Sequence, residues 1–141
     1  MATTRTANAH WEGTLKEGKG QVSLSSSGIG TFDVSWPARA EEPNGVTSPE
    51  ELIAAAHSTC FSMALSSALT NAGSPPESID TKADVTFQPG TGITGIHLTT
   101  NAKVPGLTAE QFSRYAEDAK ANCPVSKAVT GTTGTLDASL A

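Results

Sequence analysis

The chain has 141 residues, a formal net charge of −5 and a charged fraction of 16%, which fits a single domain over residues 1–141 with its own core. It contains no run of basic residues, so we expect it to bind neither nucleic acid nor a membrane. The N-terminal segment MATTRTANAHWEG has no apolar stretch, so no signal peptide is predicted and the expected compartment is the reducing cytoplasm. Two cysteines in that compartment are expected to be reactive or simply buried, not a permanent disulfide.

The part of the chain before Ser48 predicts an antiparallel meander and a polar loop. Alternating apolar residues between glycine-rich turns indicate three strands, at residues 9–15, 21–25 and 31–36. Pro37 is expected to end the third strand, because proline cannot donate to a sheet ladder. Residues 38–47 are then expected to form a loop that carries Arg39.

Residues 48–71 predict one long helix that contains Cys60. Ser48 is a good N-cap, and Glu51 three residues later predicts a capping box. No charged side chain occurs from Leu52 to Leu69, and a helix without a charged face must be covered on most sides. The apolar run is short and rich in Ala, Ser and Thr, so we interpret it as a buried core helix and not as a membrane span.

The remaining residues predict a strand pair, two helices and a last strand. Pro75 and Pro76 separate the long helix from them, and Thr108 with Gln111 predicts a capping box for the first of the two helices. The predicted elements are strands at 79–87 and 96–104, helices at 109–121 and 124–129, and a strand at 134–141. The order is therefore βββ-α-ββ-αα-β, an α+β architecture with mainly antiparallel sheet.

The two cysteines are the candidate reactive groups. A thiol becomes a nucleophile when a neighbouring positive charge or a helix N-terminus lowers its pKa. Cys60 has no Lys or Arg on its own helix, and His57 lies one turn before it; that histidine could pair with the thiol or could equally be a satisfied core residue. Cys123 precedes Pro124, which would place it at the N-terminal edge of a short helix, where a thiolate is favoured.

A zinc site is an alternative use of the same cysteines. Its ligands would be Cys60, Cys123, His57 and His97. Structural zinc sites take their ligands from closely spaced Cys or His pairs. These four residues lack that spacing, so a zinc site is the less favoured interpretation.

Two segments resemble the signatures of a known family. NGVTSPEELIAAAHSTCFSMALSSAL and NCPVSKAV are similar to the two motifs of the osmotically inducible protein C and organic hydroperoxide resistance (OsmC/Ohr) family. An arginine about twenty residues before the first cysteine, as Arg39 is to Cys60, is similar to the OsmC branch. The resemblance implies an OsmC-like α+β fold with antiparallel sheets around a long buried central helix, in an intertwined homodimer.

The resemblance also implies a function and the residues that perform it. The family members are thiol-dependent peroxidases that act preferentially on organic hydroperoxides and less well on hydrogen peroxide, in oxidative and osmotic stress defence. Carried onto this chain, Cys60 would be the peroxidatic cysteine and Cys123 the resolving one. Arg39 would hold the thiolate and polarise the peroxide, and Glu50 would orient Arg39. The resemblance implies no cofactor and no metal, with a small dithiol, a lipoyl protein or a thiol protein as the external reductant.

The residues themselves are compatible with that chemistry. A guanidinium keeps its charge at any relevant pH, so it can stabilise both a thiolate and a leaving alkoxide. The oxidised Cys60 would become a sulfenic acid, and condensation with Cys123 would limit over-oxidation. An apolar lining formed by Phe61, Met63 and Leu65 would favour alkyl or lipid hydroperoxides.

The spacing of Glu50 and Cys60 leads to a hypothesis about subunits. The two residues are ten positions apart, which is about 15 Å along one helix. A carboxylate that orients an arginine at Cys60 would more easily come from another copy of the helix. We therefore expect Arg39 and Glu50 of one subunit to complete the site around Cys60 and Cys123 of the other.

Two non-enzymatic interpretations remain open from the sequence. In one, the apolar helix lines a ligand cavity and both thiols are passive. In the other, the protein is a structural stress dimer held by a disulfide. Oxidation of Cys60 by one equivalent of alkyl hydroperoxide distinguishes the enzyme from the binding module. A sharp loss of stability in Cys60→Ser would indicate the structural dimer, whereas the enzyme should lose turnover and keep its fold.

Overall fold

The computed structural model describes all 141 residues and has the predicted α+β class. Its elements are β1 Asn8–Glu12, β2 Lys19–Ser23, β3 Thr31–Val34, α1 Trp36–Ala40, α2 Pro49–Asn71, β4 Ser78–Gln88, β5 Gly92–Lys103, α3 Ala109–Asn122, α4 Pro124–Ala128 and β6 Gly134–Leu140. The chain divides into two compact units, Met1–Leu52 and Ile53–Ala141. Each unit is described separately below.

The first unit is built on the predicted meander. β1, β2 and β3 form a three-stranded sheet in chain order, and both neighbouring pairs are antiparallel. Several large apolar side chains of this unit are exposed, including Trp11 at 41% and Phe32 at 43% of full exposure. A single small sheet has no second layer to cover such side chains.

The prediction for the end of the third strand was wrong. β3 ends at Val34, and a short helix begins where the alternation of apolar residues predicted strand up to Trp36. The Ser35 hydroxyl accepts a hydrogen bond from the Ala38 N–H at 3.2 Å and caps this helix. Pro37 lies in its first turn, where the missing N–H costs nothing. The element order therefore has one more helix than predicted, and Arg39 lies on that helix and not in a loop.

The long helix begins and ends as its sequence predicts, with one difference. The Glu51 N–H donates to the Ser48 hydroxyl at 3.2 Å. The Glu51 carboxylate accepts a hydrogen bond from the Thr47 hydroxyl. Of the two hydrogen bonds of the predicted capping box, the structure therefore shows the one that Ser48 accepts. At the other end, Gly73 has a φ of 83°, and the Ser74 N–H donates to the Leu69 carbonyl at 2.9 Å. That pattern is a Schellman motif, which needs a glycine in the left-handed region.

The helix α2 is not covered on most sides within one chain. Its buried side chains from position 53 onward recur every four residues and form one stripe: His57, Phe61, Leu65 and Leu69. The remaining positions of that part are half-buried or exposed, and Met63 on another face is 69% exposed. The expectation of a helix buried nearly all round is therefore not met by the single chain.

The second unit holds the hydrophobic core. Its sheet has the order β4-β5-β6, with β4 antiparallel to β5 and β6 parallel to β5. The stripe of α2 packs with residues of β5 and α3, including Leu98 and Phe112. The predicted capping box of α3 is confirmed, since Thr108 and Gln111 satisfy each other's backbone N–H groups. This core fixes the positions of α2, which carries Cys60, and of α3, which ends at Cys123.

One helix is long and apolar enough to cross a membrane by length and composition. It is α2, whose best window has a mean hydropathy of 1.4. The core helix of a soluble protein passes the same test. The packing of its buried stripe against a sheet and α3 is typical of such a core helix.

Candidate active site

The structure brings the two cysteines together. Cys60 lies in the middle of α2 and Cys123 lies between α3 and α4. Their Sγ atoms are 2.9 Å apart, and both residues are free thiols. Cys123 is completely buried, whereas Cys60 is half-buried. A pair at this distance needs little movement to form a disulfide.

The local sequence explains the position of Cys123. Its N–H donates to the Ala119 carbonyl at 2.8 Å and ends α3. Its φ of −54° and ψ of 128° are extended, as expected for a residue before proline. Pro124 then starts α4. The predicted place of Cys123, at the N-terminal edge of a short helix, is confirmed.

The two thiols have opposite pKa shifts. Burial, together with the hydrogen bond to Cys123, raises the pKa of the Cys60 thiol. Burial also acts to raise the pKa of Cys123, but hydrogen bonding with Cys60, with Ser126 and with the Val125 backbone outweighs it and lowers that pKa. The groups of a single chain therefore favour the thiolate at Cys123. A thiolate at Cys60 requires a cation that these groups do not provide.

His57 pairs with a residue of α4 and not with the Cys60 thiol. Its Nε2 lies 2.7 Å from the Ser126 hydroxyl. Burial lowers the pKa of His57, so the ring is neutral at pH 7. Sequence reasoning did not single out Ser126. The available signal was its place three residues after Cys123, because the third residue of a helix faces the N-cap side chain.

Arg39 and Glu50 form a bidentate ion pair within the first unit. Arg39 Nε lies 2.9 Å and 3.2 Å from the two oxygens of Glu50, and a terminal guanidinium nitrogen lies 2.8 Å from Oε1. The side chain of Glu50 is 8% exposed and that of Arg39 is 31% exposed. Two contacts between the guanidinium and the carboxylate fix the plane of the guanidinium, which a single contact cannot do. The placement of this pair at the thiols stays a prediction.

The four residues considered for zinc do not form a ligand cluster. No group of three or more His, Cys, Asp or Glu side chains is placed to hold a metal ion. His97 instead contacts the Thr135 hydroxyl and lies 2.9 Å from an Asp137 oxygen. The histidine is thus engaged on the exposed face of the β4-β5-β6 sheet.

The predicted apolar lining is only partly available to a substrate. Phe61 and Leu65 are both completely buried in the core cluster, so neither side chain can touch a molecule from solvent in this chain. Met63 is exposed. The prediction that these three residues line one site is wrong, because Met63 lies on a different face of α2 from Phe61 and Leu65.

The fold and the thiol pair define a class of small α+β dithiol proteins, and comparisons with known proteins specify it. A model of the family described as OsmC-like protein matches residues 42–137. The chain is 46% identical over 130 residues to Peroxiredoxin OsmC of Escherichia coli (strain K12), covering 90% of each protein. The same identity and coverage hold for Peroxiredoxin OsmC of Shigella flexneri. This chain belongs to the OsmC-like protein family.

Solved structures agree with that assignment. An organic hydroperoxide resistance protein of Elizabethkingia anophelis has a TM-score of 0.70 and 26% identity, covering 100% of this chain and 99% of the other. The organic hydroperoxide resistance protein OhrB of Bacillus subtilis has a TM-score of 0.71 and 24% identity, covering 96% and 98%. The resemblance to the OsmC/Ohr family is therefore confirmed, and the fold is that of its members.

Proposed function

We propose that this protein is a thiol peroxidase that reduces organic hydroperoxides to alcohols with Cys60 and Cys123. The single observation that carries the proposal is the distance of 2.9 Å between their sulfur atoms. A peroxidatic thiolate becomes a sulfenic acid, and a second thiol within reach converts it to a disulfide before further oxidation. The 46% identity to Peroxiredoxin OsmC supports a peroxiredoxin-like activity for this protein.

The proposed cycle has three balanced steps. The Cys60 thiolate attacks the outer oxygen of the hydroperoxide, and the departing alkoxide takes a proton to become the alcohol. The Cys123 sulfur then attacks the Cys60 sulfenic acid, so that an S–S bond forms, the S–O bond breaks and water leaves. An external dithiol reduces the disulfide by thiol–disulfide exchange and becomes a disulfide itself.

Arg39 and Glu50 complete the site in this proposal. The pKa of Cys60 is raised by burial and by Cys123, so a guanidinium beside it is needed to favour the reactive thiolate. The bidentate contact with Glu50 would hold Arg39 in one orientation. Glu50 lies ten positions before Cys60 on α2, about 15 Å along a straight helix. We therefore assign Arg39 and Glu50 of one subunit to the cysteines of its partner.

A homodimer supplies that arrangement and covers exposed apolar surface. Trp11 and Phe32 of the first unit and Met63 of α2 are exposed in a single chain. Exposed apolar groups of this size are a mark of protein interfaces. An intertwined dimer would bury them and would cover the faces of α2 outside its buried stripe.

The remaining parts of the proposal concern the substrate, the reductant and the compartment. Alkyl and lipid hydroperoxides are preferred over hydrogen peroxide, because Met63 lies three positions after Cys60 on α2 and would give the substrate an apolar contact. The reductant is a small dithiol, a lipoyl protein or a thiol protein. The protein acts in the cytoplasm, where such thiols keep the resting cysteines reduced.

The test is a peroxide-consumption assay with a dithiol reductant on three proteins: the wild type, Cys60→Ser and Cys123→Ser. The proposal predicts turnover by the wild type, none by Cys60→Ser, and a single oxidation without efficient turnover by Cys123→Ser. Full activity in Cys60→Ser would end the proposal. If no hydroperoxide is consumed and both thiols stay free, the protein is a binding module with passive thiols.

A further inference from the structure

The resolving thiol has a proton that cannot leave directly to solvent. The side chain of Cys123 is completely buried. When Cys123 attacks a sulfenic acid its S–H bond must break, and when the disulfide is reduced the proton must return. A completely buried group exchanges protons through other polar groups, because bulk water does not reach it.

A chain of polar groups leads away from Cys123. Ser126 lies three residues after Cys123, in the first turn of α4, and hydrogen bonding from its hydroxyl is among the causes that lower the pKa of Cys123. The same hydroxyl lies 2.7 Å from His57 Nε2. His57 is only 4% exposed, and its other ring nitrogen, Nδ1, is a buried polar atom without a hydrogen-bond partner. A buried nitrogen without a hydrogen-bond partner lowers stability. The unpartnered Nδ1 of His57 therefore needs an explanation.

A cavity lies next to this chain of groups. It has a volume of about 240 Å³ and is lined by His57 and Ser126 together with residues of α3, β5 and β6. One water molecule occupies about 30 Å³ in the liquid, so the cavity has room for several. Polar side chains around it, among them Thr130, Thr132 and Thr135, offer the partners that an internal water requires.

We propose that Ser126 and His57 form a proton relay between the Cys123 thiol and water in this cavity. The inference rests on the proposed peroxidase function. In disulfide formation the Ser126 hydroxyl turns from the sulfur to the imidazole, so that its proton passes to His57 Nε2 while its oxygen takes the Cys123 thiol proton. The S–S bond forms, the S–O bond of the Cys60 sulfenic acid breaks, and the departing hydroxide receives one proton through the cavity water. The products are the disulfide and one water molecule.

The charges around His57 are suited to this role. The charged groups lining the cavity are Glu117 and Lys120, both on α3 and of opposite sign. The lining residues of β5 and β6 carry no charge. Burial holds the pKa of His57 below its ordinary value, so the ring is a neutral acceptor at pH 7 and releases a proton readily once protonated.

The test separates oxidation of Cys60 from its resolution. Reduced protein is mixed with one equivalent of cumene hydroperoxide, and samples are quenched over time with dimedone, which traps a sulfenic acid. Mass spectrometry then measures the trapped Cys60 and the Cys60–Cys123 disulfide. The variants are His57→Ala and Ser126→Ala, with His10→Ala as the matched control, because His10 is exposed on β1, contacts Glu12 and lies outside this cavity.

The relay predicts a defect confined to the second step. In His57→Ala and Ser126→Ala the sulfenic acid forms at the wild-type rate, and the disulfide forms about a hundredfold more slowly, the usual size of a lost acid–base group. Added imidazole, which fits the space vacated by His57, restores the disulfide rate in His57→Ala and does not restore it in Ser126→Ala. A merely structural role of His57 would not respond to imidazole in this way. If His57→Ala does not fold, Ser126→Ala carries the kinetic test.

Two results would overturn the inference and leave the peroxidase standing. One is disulfide formation at the wild-type rate in the variants, which means that the thiol passes its proton directly to the sulfenic oxygen. The other is a slowed disulfide rate in His57→Ala that imidazole leaves unchanged. In contrast, a wild type that forms neither a sulfenic acid nor a Cys60–Cys123 disulfide refutes the proposed function itself.

Discussion

The ion pair between Arg39 and Glu50 allows a sharp test of how Cys60 is activated. Glu50→Gln keeps the size of the side chain and one acceptor oxygen, but it removes the negative charge and the second acceptor. In the wild type both oxygens contact the guanidinium, at distances between 2.8 and 3.2 Å. The substitution therefore loosens Arg39 without opening a cavity.

The expected size follows from the burial of the two partners. Hydrogen bonds to charged groups contribute about 1.5–3 kcal/mol, and the partial exposure of Arg39, 31%, screens the interaction. We take about 2 kcal/mol for the loss of orientation, which corresponds to about a thirtyfold slower reaction of Cys60 with hydroperoxide. Arg39→Lys should give a similar loss, because an ammonium cannot form the fork.

The assay is the second-order rate of Cys60 oxidation in a single turnover, with Glu51→Gln as the matched control. Glu51 is an exposed neighbour whose carboxylate contacts Thr47, so its substitution should leave the rate unchanged. The combined variant Arg39→Lys with Glu50→Gln should be hardly slower than either single variant, because both remove the same interaction. A Glu50→Gln rate within twofold of the wild type, with the fold intact, would refute the reasoning.

Three further predictions concern stability. Leu65→Ala removes a completely buried core side chain and should lower the free energy of unfolding by about 3 kcal/mol in urea denaturation; a loss under about 1 kcal/mol would contradict this core. Thr108→Ala removes the confirmed cap of α3 and should lower it by about 1 kcal/mol, whereas no change would mean that the cap is replaced. Burial lowers the pKa of His57 in the folded chain, so the unfolded chain binds more protons below about pH 6.5. Stability should therefore fall as the pH falls from that value through the folded-state pKa, and His57→Gln should remove this part of the decline; an unchanged decline would assign it to other groups.

Local signals predicted the elements that depend on them. Thr108 and Gln111 predicted the start of α3, because a capping box acts within a few residues of the chain. The same locality explains the error after β3. Phe32, Val34 and Trp36 alternate as a strand would, yet Ser35 caps a helix there. The cap and the proline after it were the stronger signal.

The candidate site was predictable only in part. The resemblance in two motifs singled out Cys60 and Cys123, and their contact at 2.9 Å is a result of tertiary packing that no spacing could give. Ser126 was missed because a serine in a short helix is usually unremarkable on its own. Its meaning depends on His57, sixty-nine positions away, and only the folded chain brings the two together.

Peptide mapping after a single oxidation shows whether Cys60 and Cys123 form a disulfide when the protein reduces a hydroperoxide. Reduced protein receives one equivalent of an alkyl hydroperoxide, is blocked with a thiol reagent, and is digested without reductant. We expect each chain to lose two thiols and to give one linked peptide pair that joins Cys60 to Cys123. Both cysteines recovered as blocked free thiols, with the hydroperoxide unconsumed, would contradict it.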